Sequence, residues 1–122
     1  MPWRARQTPP RPEQKRGDMP ETKLKLSAAI RKGCEGTRQV YNVFFEGHDG
    51  RDAMAAAMAG AGFSSLAFIH DFREKYHDEL RRKVKCPDCI QSGPVEDIIV
   101  HMGDDHRMTR ELIADFLESR EL

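Results

Sequence analysis

The sequence has no long apolar run and few cysteines. No stretch of its 122 residues approaches the roughly 18 apolar residues that a membrane-spanning helix needs. The first residues carry Arg and Pro where an export signal requires an apolar segment. The three cysteines suit a reducing compartment and a metal site better than a disulfide framework. We therefore expect a cytoplasmic protein with no membrane association.

The sequence also lacks a net charge. Its 20 Lys and Arg residues balance 20 Asp and Glu residues, which removes the simplest argument for a nucleic-acid-binding protein. With 39% hydrophobic residues, the chain has room for one small domain with a modest core.

Proline is scarce except near the N-terminus. Five of the seven prolines lie in residues 1–22, together with the basic residues Arg4, Arg6, Arg11, Lys15 and Arg16. The only aromatic side chain there is Trp3, which cannot form a core alone. This composition predicts a flexible Pro/Arg-rich arm over 1–22 and a folded domain over 23–122.

Capping residues and apolar periodicity indicate several short helices. They predict helices over 28–35 after Ser27, over 51–59, over 66–83, from Pro94 to a C-cap at Gly103, and after Thr109. The small residues of 53–60 would let another backbone approach closely. The sequence thus predicts a mainly α, small single domain of about four to five short helices.

A short extended segment is expected at 40–45, closed by the turn sequence Gly47-His48-Asp49-Gly50. The core is expected along the apolar stripes of two helices. These comprise Leu66, Ile69, Phe72, Tyr76, Leu80 and Val84 in the longest helix, and Leu112, Ile113, Phe116 and Leu117 in the last.

Four side chains have the spacing of a metal site. They are Cys86, Cys89, His101 and His106, in the pattern Cys-x2-Cys-x11-His-x4-His. A Cys-x-x-Cys turn directs two thiolates to one point, and a helix returns two imidazoles to complete a tetrahedron. The pattern predicts a closed, structural Zn²⁺ site of Cys2His2 type that holds the fold together. We expect Asp105 to orient its neighbour His106 through a hydrogen bond.

Other interpretations of these residues stay open. The cysteine pair could be a redox dithiol, or the cysteines and histidines could be unligated. A metal site could also recruit His77 or His48 in place of one of the two histidines. Cys34 has no Cys or His neighbour in sequence and is expected to be a small core residue.

Nucleic-acid binding has two arguments against it and one in its favour. A finger helix that reads DNA needs Arg, Lys, Asn or Gln near its start, where this chain has Val95, Glu96 and Asp97. Residues 96–122 contain eight acidic residues and three arginines. Basic residues nevertheless cluster just before the cysteines, at Arg81, Arg82, Lys83 and Lys85. This cluster is either a solvated helix end or a contact with nucleic-acid phosphates.

A metal nuclease is a minor alternative, because His101, Asp104, Asp105 and His106 form a cluster of metal-binding types. The histidines that catalysis needs are the ones that complete the zinc site, so one set cannot serve both roles. No phosphate-binding loop, nucleophile motif or small-molecule substrate motif stands out. We expect a protein that is not an enzyme.

Three segments carry a recognisable pattern: KLSAAIRKG at 25–33, CPDC at 86–89 and IVHMGDDHRMTRELIADFLE at 99–118. Together they resemble a group of small uncharacterised bacteriophage and prophage proteins that read CP.CG and I.HLNDDH.WTREQIADWLE in their C-terminal half. The resemblance covers about residues 24–121. The sequence departs from the group at Ile90, Gly103, Met108 and Phe116. The resemblance implies a phage-type origin and a zinc site, and no particular reaction.

We therefore expect a noncatalytic zinc-binding interaction protein of phage type that docks on a protein assembly. It would act as a virion component or as an accessory protein in the bacterial host, and so lie in the virion or the cytoplasm. The alternative is a nucleic-acid-associated regulator that uses the basic arm and the segment 81–85.

Overall fold

The computed structural model describes residues 23–122, so the predicted arm 1–22 lies outside the described part. The helices are α1 (Leu26–Gly33), α2 (Ala53–Gly60), α3 (Ile69–Lys75), α4 (His77–Arg81), α5 (Val95–Asp104) and α6 (Arg110–Ser119), with a 3-10 turn at Leu66–Phe68. The strands are β1 (Arg38–Gln39), β2 (Phe45–Glu46), β3 (Gly50–Arg51), β4 (Lys83–Lys85) and β5 (Ser92–Pro94). The described domain therefore has six α-helices and two small sheets, so the mainly α prediction holds in part.

Helices α1 and α2 cross antiparallel with their backbones in contact. A Cβ atom on Gly33 would lie 1.8 Å from the carbonyl oxygen of Ala56, and one on Gly60 would lie 1.8 Å from that of Ala29. Each glycine therefore faces a small residue of the other helix. The predicted close approach of a second backbone to α2 is confirmed. All of α2 except Ala59 is buried, because other elements cover its remaining faces.

The first helix begins earlier than predicted. Lys25 occupies its N-cap position without a side-chain cap, and Ser27 is buried inside its first turn. The backbone N–H of Ser27 donates to the carbonyl oxygen of Leu122 at 3.1 Å, which ties the C-terminal residue to α1. The predicted cap at Ser27 was wrong because tertiary contacts, not a local cap, fix this helix start.

The extended segment predicted over 40–45 is not continuous. Asn42 has a φ of 69°, which breaks the extended backbone in the middle of the segment. Two-residue strands form instead on either side, in the order β1-β3-β2, with β1 parallel and β2 antiparallel to β3. The turn at 47–50 is confirmed, with Gly47 at a φ of 67°.

The predicted long helix over 66–83 is broken at Tyr76, which has φ −110° and ψ 28° between α3 and α4. The Tyr76 hydroxyl donates to the carbonyl oxygen of Leu24 at 2.6 Å, and its ring is fully buried. Phe72 and Leu80 are buried as predicted, whereas Leu66 lies outside the core, 50% exposed. The bend at Tyr76 turns the chain into β4.

The segment 81–85 ends as a strand and not as a helix end. β4 pairs antiparallel with β5, and Val84, opposite Gly93, is buried. The next helix, α5, continues through Gly103, so the C-cap predicted there was wrong; Asp105 caps it instead.

The last helix begins as predicted. The Thr109 side chain accepts a hydrogen bond from the N–H of Leu112, which confirms the predicted cap. Ile113 and Leu117 are fully buried, but Leu112 is 54% exposed and was wrongly assigned to the core.

Arg110 joins the small sheet to α6. Its guanidinium is buried and donates to the hydroxyl of Thr37 at 2.9 Å and to the Thr37 carbonyl oxygen at 3.1 Å. The Gln39 side chain accepts from the Arg110 N–H at 3.2 Å and donates to the Met108 carbonyl oxygen at 3.0 Å. These bonds fix the start of α6 just beyond the predicted metal ligands.

The α1/α2 crossing predicts that Gly33→Ala and Gly60→Ala each lower the free energy of unfolding by about 2 kcal/mol or more, because the new methyl group meets a backbone carbonyl. This sign is opposite to helix propensity, which favours Ala over Gly by about 1 kcal/mol. Gly103→Ala is the matched control. Its Cβ would meet only the Ile113 side chain at 3.9 Å, so we expect stabilisation. Denaturant unfolding of the three variants measures the difference; unfolding free energies of Gly33→Ala and Gly60→Ala as high as that of Gly103→Ala would contradict the crossing.

Asp52 predicts a dependence of stability on pH. It is buried at the N-cap of α2, where it accepts from the Ala55 N–H at 2.8 Å, and burial raises its pKa to about 7. The folded chain then holds the Asp52 proton more tightly than the unfolded chain does. The contribution of this proton to the free energy of unfolding is therefore fully present below about pH 4 and is lost as the pH rises through about 7.

Asp52→Asn keeps a capping oxygen without the charge. We expect its unfolding free energy to exceed that of the parent by about 1–3 kcal/mol at pH 8, and by less at pH 5. Asp52→Ala, which loses the cap, should be less stable than Asp52→Asn at both pH values. Denaturant unfolding at the two pH values decides the matter, and a pH-independent difference between Asp52→Asn and the parent would count against the buried charge.

Candidate metal centre

A hairpin and the helix after it build the centre. Cys86 and Cys89 lie in the turn between β4 and β5, His101 lies on α5, and His106 lies in the turn that follows α5. The Cys86 N–H donates to the carbonyl oxygen of Gln91 at 2.8 Å, which closes the hairpin turn. Two strands followed by a helix, with cysteines in the turn, is the order found in Cys2His2 fingers.

The four donor atoms converge. One ligand atom from each of Cys86, Cys89, His101 and His106 lies within 4.8 Å of the others. The His101 Nε2 atom lies 3.2 Å from the Cys89 Sγ atom and 3.1 Å from the His106 Nε2 atom. The four side chains are therefore close enough to bind one metal ion.

Backbone donors surround the two sulfur atoms. The N–H of Asp88 donates to the Cys86 Sγ at 3.4 Å, and the N–H of Gln91 donates to the Cys89 Sγ at the same distance. Each donor lies two residues after its cysteine, so the turn presents both amides to the sulfurs. Such hydrogen bonds favour the thiolate, which is the form that binds metal.

A carboxylate orients one imidazole. The Asp105 Oδ2 atom lies 2.7 Å from the His101 Nδ1 atom. An ionised carboxylate can only accept a hydrogen bond, so the proton of the neutral ring lies on Nδ1. The Nε2 atom then has a free electron pair for a metal ion, and it faces the other ligands. The predicted contact of Asp105 with His106 is wrong. Asp105 contacts His101 instead, because four residues of helix place the two on one face.

The thiol pKa values of Cys86 and Cys89 are shifted in opposite directions. The Gln91 N–H, followed by the imidazoles of His101 and His106, lowers the pKa of Cys89 to about 6. Burial raises the pKa of Cys86 above its usual range. The Cys89 sulfur, together with Asp105, raises the pKa of His101. Cys89 is thus a thiolate near neutral pH.

The donor set fits zinc. Tetrahedral Zn²⁺ with Zn–N near 2.05 Å and Zn–S near 2.3 Å sets neighbouring donors about 3.3–3.8 Å apart. The separations of 3.1 Å between the two Nε2 atoms and 3.2 Å between Nε2 and Sγ lie just below this range. Two thiolates and two imidazoles are ligands that zinc takes in structural sites.

The other sequence candidates lie away from this group. The His77 side chain is 67% exposed and contacts Asp78, and His48 is exposed. Neither joins the four-residue group. Cys34 is half-buried and packs against the hydrophobic core, as predicted.

The start of α5 is packed and ion-paired. Val95 is fully buried, and Glu96 forms an ion pair with Arg73 of α3 at 2.5 Å. This end of α5 is therefore held by contacts within the domain. The predicted basic contacts Arg81, Arg82, Lys83 and Lys85 are all exposed. Lys83 and Lys85 flank the buried Val84 and so lie on the opposite face of β4 from it.

A groove of about 500 Å³ adjoins the centre and was not predicted from the sequence. It is lined by Pro87, Asp88, His106, Arg107, Met108, Leu112, Asp115 and Phe116. Met108, Leu112 and Phe116 are spaced four residues apart. This spacing defines a second apolar stripe beside the buried stripe of Ile113 and Leu117, and it was the signal available in the sequence.

Comparison with protein-family models, with curated proteins and with solved structures finds no match for this chain. Within residues 23–122, no helix is both long and apolar enough to cross a membrane.

The contact between Asp105 and His101 predicts that Asp105→Asn weakens metal binding by about tenfold, with the fold retained in excess metal. The matched control is Asp104→Asn, which removes a neighbouring charge but keeps the oxygen that accepts from the Asn42 N–H. Competition with a chromophoric chelator measures both affinities. Equal affinities for the two variants would show that Asp105 does not orient the ligand.

Proposed function

We propose that this chain is a noncatalytic interaction protein of phage type, held together by one structural Zn²⁺ ion and docking on a protein assembly. The observation that carries the proposal is the convergence of Cys86, Cys89, His101 and His106 to within 4.8 Å. The ion would crosslink the hairpin turn to α5 and to the turn before α6.

The filled ligand set supports a structural role. Catalytic zinc sites use three protein ligands and keep a position for water or substrate, whereas four protein ligands complete the tetrahedron. His101 and His106 both face the group, so neither remains as a base for a nuclease reaction. The nearest carboxylate, that of Asp105, is bonded to His101 and is therefore not available as a base either.

The size of the surrounding elements supports the same role. β4 and β5 have three residues each and α4 has five, which is too short for stability on their own. Structural zinc supplies roughly 10–16 kcal/mol of apparent binding free energy in isolated fingers. That is as large as the roughly 5–15 kcal/mol net stability typical of a whole domain, so the ion would dominate the stability of this region.

The surface beside the centre supports docking on a protein. Leu112 is exposed and lies with Met108 and Phe116 in the groove. Apolar side chains gathered in one concavity and rimmed by polar residues are typical of protein interaction sites. The resemblance to phage and prophage proteins supports a virion component or a host-acting accessory protein as the setting.

A nucleic-acid-associated regulator is the second candidate. It is favoured by the exposure of Arg81, Arg82, Lys83 and Lys85, none of which forms an ion pair within residues 23–122. Binding driven by phosphates weakens steeply between about 50 and 200 mM salt. Titration of a labelled oligonucleotide at both salt concentrations tests it; salt-insensitive or undetectable binding rejects this candidate.

The zinc proposal predicts one zinc ion per chain and a large loss of thermal stability in chelator. His101→Ala should lose the ion and unfold at the temperature of the chelated parent, because three ligands remain. The matched control is His77→Ala, which removes an exposed histidine outside the group. Elemental analysis and circular dichroism give both readouts.

Two results would contradict the structural role. One is a chain purified without added metal that contains no zinc and does not bind it when supplied. The other is a His101→Ala variant that unfolds at the same temperature as His77→Ala.

A further inference from the structure

His106 is the member of the metal centre with the least support from its own segment. Backbone amides bond to both cysteine sulfurs, and Asp105 bonds to the ring of His101. Among the bonds of the described residues, none joins a carboxylate to the His106 ring, which instead contacts the other imidazole. Because His106 lies beyond the end of α5, its position depends on the backbone of residues 105–108, which we call the ligand turn.

The ligand turn reverses directly after His106. The next residue, Arg107, has a φ of 52°, in the left-handed region that residues with a side chain rarely adopt. The N–H of Met108 then donates to the Met102 carbonyl oxygen at 3.1 Å, so the chain folds back onto α5. A backbone conformation of this kind persists only where surrounding contacts hold it.

The end of β1 and the loop after it bond to the chain on both sides of His106. The Asn42 N–H donates to the Oδ1 atom of Asp104, two residues before His106, at 2.8 Å. The Gln39 side chain donates to the carbonyl oxygen of Met108, two residues after His106, at 3.0 Å. The two pairs are 62 and 69 residues apart in sequence, so the N-terminal part of the domain holds the ligand turn.

Tyr41 contacts the residue at which the ligand turn reverses. Its hydroxyl donates to the Arg107 carbonyl oxygen at 3.3 Å, and the Arg107 guanidinium stacks 4.7 Å from the centre of its ring. Such a stack adds a cation–π attraction to the hydrogen bond. Tyr41 is half-buried and does not belong to the hydrophobic core of the described domain. Its contacts therefore stabilise the ligand turn and not the core.

We propose that Tyr41 is a positioning residue of the metal centre, which holds Arg107 in the left-handed conformation and so directs the His106 imidazole to the metal ion. The inference rests on the proposed function, since it takes His106 to be the fourth ligand. Without Tyr41, the ion would keep two thiolates and His101, and its fourth position would be open to water.

Co²⁺ bound to the full chain tests the proposal, because the visible absorption of Co²⁺ depends on its ligands and geometry. Azide is the probe of an open position, since it binds where a protein ligand is missing. We expect azide to leave the spectrum of the parent unchanged and to shift that of Tyr41→Ala. Tyr41→Ala should also bind Co²⁺ and Zn²⁺ about 10- to 100-fold more weakly than the parent, as measured by competition with a chelator.

Tyr41→Phe should restore the closed site. It keeps the ring on which Arg107 stacks and loses only the hydroxyl, whose bond of 3.3 Å is long for an O–H donor. We expect its metal affinity to lie within about threefold of that of the parent.

Phe45→Ala is the matched control. Phe45 also stacks on an arginine, Arg51 of β3, at 4.5 Å, and it packs against the hydrophobic core. A loss of stability alone would therefore affect Phe45→Ala at least as much as Tyr41→Ala. We expect the Co²⁺ spectrum of Phe45→Ala to be insensitive to azide.

Arg107→Ala removes the stack from the other side and leaves Tyr41 in place, so it should also open the fourth position. It decides the matter if Tyr41→Ala does not fold. Two results would overturn the role of Tyr41. One is that azide changes the spectrum of neither Arg107→Ala nor a folded Tyr41→Ala, and the other is that azide shifts the spectrum of Phe45→Ala as much as theirs.

Metal content and the azide response of the parent separate the two proposals. A parent chain that binds neither Co²⁺ nor Zn²⁺, or that binds Co²⁺ and responds to azide, contradicts the proposed function. A parent chain with a closed site whose Tyr41→Ala variant also stays closed contradicts the positioning role alone.

Discussion

The convergence of four donor atoms on one point is the constraint on which the C-terminal half of the domain depends. Cys86 and Cys89 come from a turn between two three-residue strands, and His101 and His106 from the end of one short helix and the turn after it. None of these pieces is long enough to hold its shape alone. The Asp88 and Gln91 amides and the Asp105 carboxylate then orient individual ligands, so the outer hydrogen bonds depend on the same convergence.

The other half of the domain depends on a different constraint, the absence of two side chains. Gly33 and Gly60 let α1 and α2 touch through their backbones, and α2 is buried on nearly all sides as a result. Arg110 connects the two halves: its buried guanidinium holds Thr37 of the loop after α1, while α6 follows directly from the turn that carries His106. The C-terminal Leu122, whose carbonyl oxygen accepts from the Ser27 N–H, gives a second link between the segment after α6 and α1.

Features encoded by neighbouring residues could be predicted from the sequence, and features decided by distant contacts could not. The spacing from Cys86 to His106 predicted which side chains meet, and the cap at Thr109 predicted where α6 begins, because both are local properties. The break at Tyr76 coincides with a hydrogen bond to Leu24, far away in sequence, which a continuous apolar stripe does not indicate. Adjacency in sequence led to the prediction that Asp105 contacts His106. Helical spacing of four residues favours His101 instead, and the structure has that contact.

The exposed position of Leu112 shows how the same ambiguity bears on function. Residues 112 and 116 and residues 113 and 117 form two apolar stripes on neighbouring faces of α6, and periodicity cannot tell which one the core takes. The core takes Ile113 and Leu117 because Arg110, one turn earlier on that face, is held by Thr37. Leu112 and Phe116 are thereby left beside the metal centre, where they line a groove. Under the proposed function, four protein ligands would leave a zinc ion no free position for a substrate, so recognition would use the surface beside the metal centre.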